Sequence, residues 1–210
     1  MEITAIQKRR KLLSALFLDG EFAALIDTET LLKFGYKTGM HLTDEQLHEL
    51  ILASQQRRAH EKALYLLEFR SHSKRELTEK IARTTSREAA QAAAERMEEL
   101  GLLNDEEYAR RYAADLLSKK GYAEKRICYE LQKKGIDRAL AQQALDELEM
   151  DPTEQIRRVI EKKYVRYLHD EKGCRRAVSG LQRMGYRYED IKRAMAEFTQ
   201  ALRNEFEESV

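Results

Sequence analysis

Few side chains of this chain stand at spacings that catalysis requires. Ser71 and Lys74 match the S-x-x-K pattern in which a lysine assists a serine nucleophile, and Lys37-Thr38-Gly39 matches the K-T-G that accompanies it. Their order is reversed and no S-D-N lies between them, so the match is a coincidence of composition. The five histidines, His41, His48, His60, His72 and His169, form no H-x-x-x-H pair and no cluster with Cys128 or Cys174, so the spacing of a zinc site is missing. No G-x-x-x-x-G-K run offers a cradle for phosphate. The adjacent carboxylates Glu98 and Glu99, and Glu189 and Asp190, fall on polar helix faces, where solvation is the expected role. No catalytic, cofactor or metal residue is assigned, and the chain is read as acting by binding, not as an enzyme.

The elements that would carry a binding surface are mostly helical. The 210 residues include 38 basic and 37 acidic side chains, so the chain is 36% charged with a net charge of +1, while 42% apolar content is enough for folded cores. Apolar runs are short, as at Leu64 to Leu67, so neither a membrane span nor a signal peptide is expected, and the reading is a soluble cytoplasmic protein with two free thiols. Residues 1–42 differ in texture from the rest. Lys11 to Leu18 and Glu21 to Ile26 predict two strands joined by Asp19-Gly20, a dipeptide suited to a type I′ hairpin turn. Ile3 to Gln7 offers a third strand, and Thr28 to Phe34 reads as a short helix stopped by Gly35. Thr43 and Gln46 then form a capping box ahead of a connector helix over 43–62, whose polar middle is expected to be solvated.

Beyond residue 62 the chain repeats itself. Leu77 and Ile81 recur fifty residues later as Ile127 and Leu131, and fifty later again as Ala177 and Leu181. Leu131 and Leu181 are each followed four residues on by a glycine, Gly135 and Gly185, with an apolar residue behind it. Third helices follow at Leu140, Ala144, Leu145 and Leu148 and at Ile191, Ala194, Met195 and Phe198. First helices precede at Tyr108, Tyr112 and Leu116 and at Ile156, Val159 and Ile160, the latter opened by Asp151 with Pro152. In the earliest copy Thr84 and Thr85 replace the glycine, and a Thr85–Glu88 capping box is expected to start a third helix with Ala89, Ala93, Met97 and Leu100 inward. The fold class is therefore mainly α: a tandem array of three three-helix, helix-turn-helix-like repeats over 63–105, 106–150 and 151–198, preceded by a small N-terminal α+β region and followed by a tail over 199–210. Units this small have little core each, so neighbours are expected to lean on one another.

The repeat frame picks out one charged feature. On each second helix, the positions two before and six after the first core residue lie opposite the core. They are Arg75 and Arg83, Lys125 and Lys133, Arg175 and Arg183, all basic. An outward cationic face in every copy suits a polyanion or an acidic protein surface, although a solvated helix face also carries charge. The last repeat holds twelve basic against eight acidic residues, whereas 106–149 balances at nine each, so nucleic-acid contact is placed C-terminally. Lys8-Arg-Arg-Lys11 is a second basic cluster, equally suited to blocking a strand edge. The tyrosines read mostly as core, with base stacking a minor option for Tyr164 or Tyr167.

The run from Leu100 through Asn104-Asp-Glu-Glu-Tyr-Ala-Arg-Arg-Tyr112, followed by Lys120-Gly-Tyr-Ala-Glu-Lys-Arg-Ile-Cys-Tyr-Glu-Leu-Gln-Lys-Lys-Gly-Ile136, resembles the RecX family, regulators of the RecA recombinase. The likeness extends over about 60–198, and Ala15 to Ala23 is similar to the N-terminal region of longer members. It implies tandem three-helix repeats, a monomer that binds the RecA filament on single-stranded DNA, and mostly inhibition of filament extension, ATP hydrolysis, strand exchange and repressor cleavage in DNA repair and the SOS response. It implies no catalytic residue, cofactor or membrane partner. Leu100, Gly101, Tyr108, Tyr112, Ile127, Leu131 and Gly135 look structural in this motif. A stand-alone DNA-binding protein of tandem helix-turn-helix type is the alternative.

Overall fold

A computed structural model describes residues 1–9 and 12–208, with side chains up to residue 200. Arg10 and Lys11 of the N-terminal basic cluster lie outside the described residues, as do residues 209 and 210. The fold divides into two compact units, Met1–Asn104 and Asp105–Val210. Among the described residues no helix is long and apolar enough to cross a membrane.

The first unit begins with an antiparallel meander, β1 (Ile3–Lys8), β2 (Leu13–Leu18) and β3 (Glu21–Asp27). Asp19 and Gly20 turn β2 into β3 with φ of 50° and 89°, the positive values a type I′ turn needs. Asp27 caps α1 (Thr28–Phe34) by accepting from Thr30 N, and Gly35 ends that helix at φ 75°. Thr43 and Gln46 close the capping box of α2 (Asp44–Phe69). Ile3, Leu16, Leu18, Ile26, Leu31, Leu42 and Leu50 form the core between the sheet and the first half of α2.

The connector over 43–62 is the greater part of α2, and its middle, expected to be solvated, has a dry inward side. Ser54 and Ala59 are buried, and Ser54 Oγ accepts from Asp27 N at 2.7 Å, tying the helix to β3. The physical reason is residue size: Ala59 and Ala63 let α4 (Arg87–Glu99) approach closely through Ala90, Ala93 and Ala94, a packing that weak hydrophobicity conceals. Between α2 and α4 lies α3 (Lys74–Ile81), which contributes Leu77 and Ile81 to the same core. Two further expectations fail here. The N-cap of α4 is Ser86, not Thr85; Ser86 Oγ accepts from Ala89 N, while Thr85 Oγ1 donates to Ile81 O at 3.1 Å and caps the preceding helix. Leu100 is exposed because the helix stops at Glu99; Gly101 at φ 70° turns the chain back so that Leu103 fills the core instead.

The second unit holds two three-helix modules. In one, α5 (Asp105–Asp115) runs through a π-helical turn, Leu116–Lys120, into α6 (Glu124–Lys133) and α7 (Arg138–Asp146). Tyr108, Ala109, Ala113, Ile127, Leu131, Ile136, Ala141 and Leu145 are its buried core. In the other, α8 (Pro152–Lys163) is capped by Asp151 with Pro152 in the first turn, and a 3-10 turn, Val165–Tyr167, leads to α9 (Glu171–Arg183) and α10 (Tyr188–Glu208). Ile156, Val159, Ile160, Leu181, Tyr186, Ile191 and Ala194 form that core. The segment set apart as a tail from 199 is the continuation of α10 to Glu208.

The two modules of this unit are joined by direct bonds. Ala123 N donates to Met184 O at 2.9 Å, and the buried Tyr186 hydroxyl donates to Gly121 O at 3.0 Å. Gly121 and Gly185 stand at this joint with φ of 68° and 97°. A Cβ on Gly121 would come within 2.5 Å of Val159 Cγ2, and one on Gly185 within 2.9 Å of the Arg126 backbone. Burial pushes the Tyr186 phenol up to about 12, so the joint is held by an uncharged donor throughout the neutral range.

Candidate functional site

The six outward cations depend on how each second helix starts and stops. Ser73 caps α3 through Glu76 N and Asp170 caps α9 through Gly173 N, whereas α6 begins at Ala123 with no side-chain cap. The inward pairs Leu77 and Ile81, Ile127 and Leu131, and Ala177 and Leu181 are all fully buried, which fixes the opposite faces toward solvent. Gly135 and Gly185, at φ of 88° and 97°, then close α6 and α9 with the same bonds: Ile136 N donates to Leu131 O at 3.1 Å and Tyr186 N to Leu181 O at 3.3 Å.

The cations are not equivalent. All six are exposed, but Arg83 lies beyond the end of α3 in the turn toward α4, so it does not continue the helical column. Arg75 Nε pairs with Glu79 at 2.9 Å and Arg175 Nη2 with Glu171 at 3.4 Å, which blunts their charge. Lys125, Lys133 and Arg183 make no ion pair among the described residues. Lys133 and Arg183 are each the last residue of their helix, a position where a cation also complements the helix dipole. Lys125 stands in the first turn of α6, where the dipole opposes a cation, so local helix stability gives no reason for it.

Helical wheels passed over a second cationic position. Arg126 and Arg176 are fifty residues apart and each lies over a tyrosine ring, at 5.5 Å from Tyr122 and 5.6 Å from Tyr167 respectively. The repeat register alone would have paired them. The first-unit counterpart is Glu76, which binds Arg70 at 2.9 Å and faces His72 Nδ1 at 3.1 Å. His72 is buried, and that burial lowers its pKa below 6.5, the hydrogen bond to Glu76 acting in the opposite direction. In the second unit a recess of 240 Å³ opens beside the joint, lined by Leu117, Tyr122, Leu145, Leu148, Met150 and Tyr186 among others. No group of three or more His, Cys, Asp or Glu residues suited to a metal ion occurs among the described residues.

Comparison with known proteins bears on these surfaces. The family model described as RecX, second three-helix domain, matches residues 104–145, the segment containing α5 to α7. The chain is 29% identical over 203 residues to the regulatory protein RecX of Caldanaerobacter subterraneus subsp. tengcongensis, covering 93% of this chain and 98% of that protein. It is 32% identical over 136 residues to the regulatory protein RecX of Trichlorobacter lovleyi, covering 62% of this chain and 88% of that protein. A crystal structure of a regulatory protein RecX superposes with a TM-score of 0.60 at 22% identity, over 91% of this chain and 98% of that one, a likeness of fold.

Proposed function

The chain belongs to the RecX family of regulatory proteins, and from that premise we propose that it binds the RecA filament on single-stranded DNA and restrains it. It acts by binding: contact with successive RecA protomers blocks filament extension and lowers ATP hydrolysis, strand exchange and repressor cleavage. The observation that carries this reading is family likeness spanning nearly the whole chain, N-terminal unit included, rather than one module. The near-neutral total charge supports it too. A chain of net charge +1 is ill suited to gripping bare duplex through phosphates alone and better suited to a mixed surface of protein and nucleic acid. The outward cations Arg75, Arg83, Lys125, Lys133, Arg175 and Arg183 are the proposed contacts, with Lys125, Lys133 and Arg183 foremost because they lack carboxylate partners among the described residues. The protein is read as cytoplasmic and as a monomer, the second of which sedimentation of the free protein checks.

Titration into a reaction of RecA, ATP and single-stranded DNA tests the reading. ATP hydrolysis and filament length should both fall below stoichiometric protein; neither changing at equimolar protein would overturn it. Lys133→Glu with Arg183→Glu should weaken this inhibition about tenfold or more by reversing two charges, with helicity kept and melting lowered only slightly, since each Glu opposes a helix dipole. Full inhibition by that double variant would return these side chains to solvent. The alternative, a stand-alone DNA-binding protein, draws on the four-charge excess of 151–198 and predicts sequence-selective binding without RecA.

A further inference from the structure

We infer that Tyr167 and Arg176 form a stacking site for an unpaired nucleotide base. The inference goes beyond the regulatory reading and does not need RecA: its ligand is single-stranded nucleic acid as such.

The two modules of the second unit show how the site arises. In α6 the Arg126 guanidinium lies 5.5 Å from the Tyr122 ring and 5.3 Å from the Tyr129 ring, and its Nη2 pairs with Glu130 at 2.6 Å. That arginine is held between two rings and a carboxylate. Fifty residues on, Arg176 again lies over a tyrosine, Tyr167 at 5.6 Å, although from a different position of the repeat, and the residue matching Glu130 is Gly180. Arg176 has no carboxylate partner among the described residues.

Glycine at that position has a second effect. A Cβ on Gly180 would collide with the Tyr164 hydroxyl, and one on Gly173 would fall on the Tyr167 carbonyl oxygen. Both glycines are inside α9, where the residue type is unfavourable, and both are needed for residues 164–167 to lie against the helix. Cys174 Sγ adds a contact to Leu168 O at 3.6 Å. The backbone of this segment is thereby fixed, yet Tyr167 remains 47% exposed. A tyrosine seated by its main chain with its ring in solvent is a platform, not a core residue.

The charge around the platform selects the ligand. Asp170 is used as the cap of α9 and Glu171 is paired with Arg175. Lys162, Arg166, Lys172 and Arg176 have no carboxylate partner among the described residues, so cations flank the ring on both sides in the chain. An aromatic face with surplus cations fits a base and its phosphates together. Duplex DNA offers the phosphates but keeps its base faces stacked inside, so the site discriminates for single strands.

The test uses the full-length protein without RecA and a fluorescein-labelled oligothymidylate, followed by anisotropy. Tyr167→Ala should weaken binding about tenfold, the scale of one lost base stack. Arg176→Gln should lower the salt-dependence slope by about 0.7, one fewer phosphate contact on a single strand, while Tyr167→Ala leaves the slope unchanged. Tyr167→Trp places a tryptophan in a chain that has none, and its emission should be quenched at saturation by stacking. Affinity for a duplex of equal length should be the same in the wild type and Tyr167→Ala. The inference is overturned if the wild type does not bind the oligonucleotide, or if the tryptophan emission is unchanged at saturation. It is also overturned if Tyr167→Ala weakens binding of poly-glutamate as much as of DNA, which would make the patch a docking surface for acidic protein. Because RecA is absent, any of these outcomes leaves the RecA titration to stand or fall separately.

Discussion

One chain builds the turn between its second and third helices by two different chemistries. In the first unit, Thr84 Oγ1 and Thr85 Oγ1 both donate to Ile81 O, and α2 reaches over to complete the turn: Arg58 Nη2 donates to Thr84 O at 2.8 Å and Gln55 Oε1 accepts from Ser86 N at 2.5 Å. In the second unit Gly135 and Gly185 do the same task from within the turn, by adopting positive φ. The difference separates what the repeat must keep from what it can replace. The buried pair on the second helix is kept in all three copies, while the turn is free to be hydroxyl-based wherever a long neighbouring helix supplies the remaining partners.

The largest expected effect tests the part that is kept. Leu131→Ala and Leu77→Ala each remove a fully buried side chain and should each cost about 2–5 kcal/mol in urea denaturation. A cost under about 1 kcal/mol for either would break the equivalence of the copies. The next effect separates the two turns. Gly185→Ala should cost about 1–3 kcal/mol through its φ of 97°, with the nearby Arg126 backbone adding to the penalty, whereas Thr85→Ala should cost about 1 kcal/mol, one hydrogen bond. Equal losses would mean that the glycine turn is no more demanding than the threonine turn.

The smallest effect at neutral pH is a contrast in titration. His72 has a lowered pKa in the folded first unit, so the unfolded chain binds the proton more readily. Its contribution is fully present above pH 6.5 and is lost as the pH falls through the folded value. Tyr186 has a raised pKa in the second unit, so its contribution is present below 10 and is lost as the pH rises toward about 12. Hydrogen exchange followed across pH should therefore show α3 loosening first in acid and the α6–α9 joint first in alkali. His72→Asn should remove the acid response and Tyr186→Phe the alkaline one; a response that survives its substitution would detach it from that residue.

Much of the fold was legible because it is locally encoded. The I′ turn at Asp19-Gly20, the capping box at Thr43, the Asp151-Pro152 start and the Gly35 stop each need only a few adjacent residues, and each stands where the sequence predicts it. Local rules failed where a distant partner decided between neighbours. Thr85 and Ser86 are equally good caps by type, and Ile81 O claims the first. Leu100 and Leu103 are equally apolar, and the turn at Gly101 puts only the second inside. Ala59, in the stretch expected to be solvated, gives little hydropathy signal, and the helix packed on it is what buries it.

The surface was legible to the same limit. A fifty-residue period was enough to place basic residues opposite the core pairs, since helical geometry sets which positions oppose one another. Whether a cation is available to a partner depends on what stands one helical turn from it and on where its helix stops. Glu79 blunts Arg75, the end of α3 takes Arg83 off the column, and Glu130 occupies Arg126 while Gly180 leaves Arg176 open. The sequence by itself determined the helices, most of their caps and the repeated buried pairs, because those arise from neighbours a few residues apart. Only the tertiary structure decided which small residues are buried and where the modules join, as with Ala59 against α4 and the Tyr186 hydroxyl on Gly121 O, because those contacts are made across the fold, where sequence distance says little.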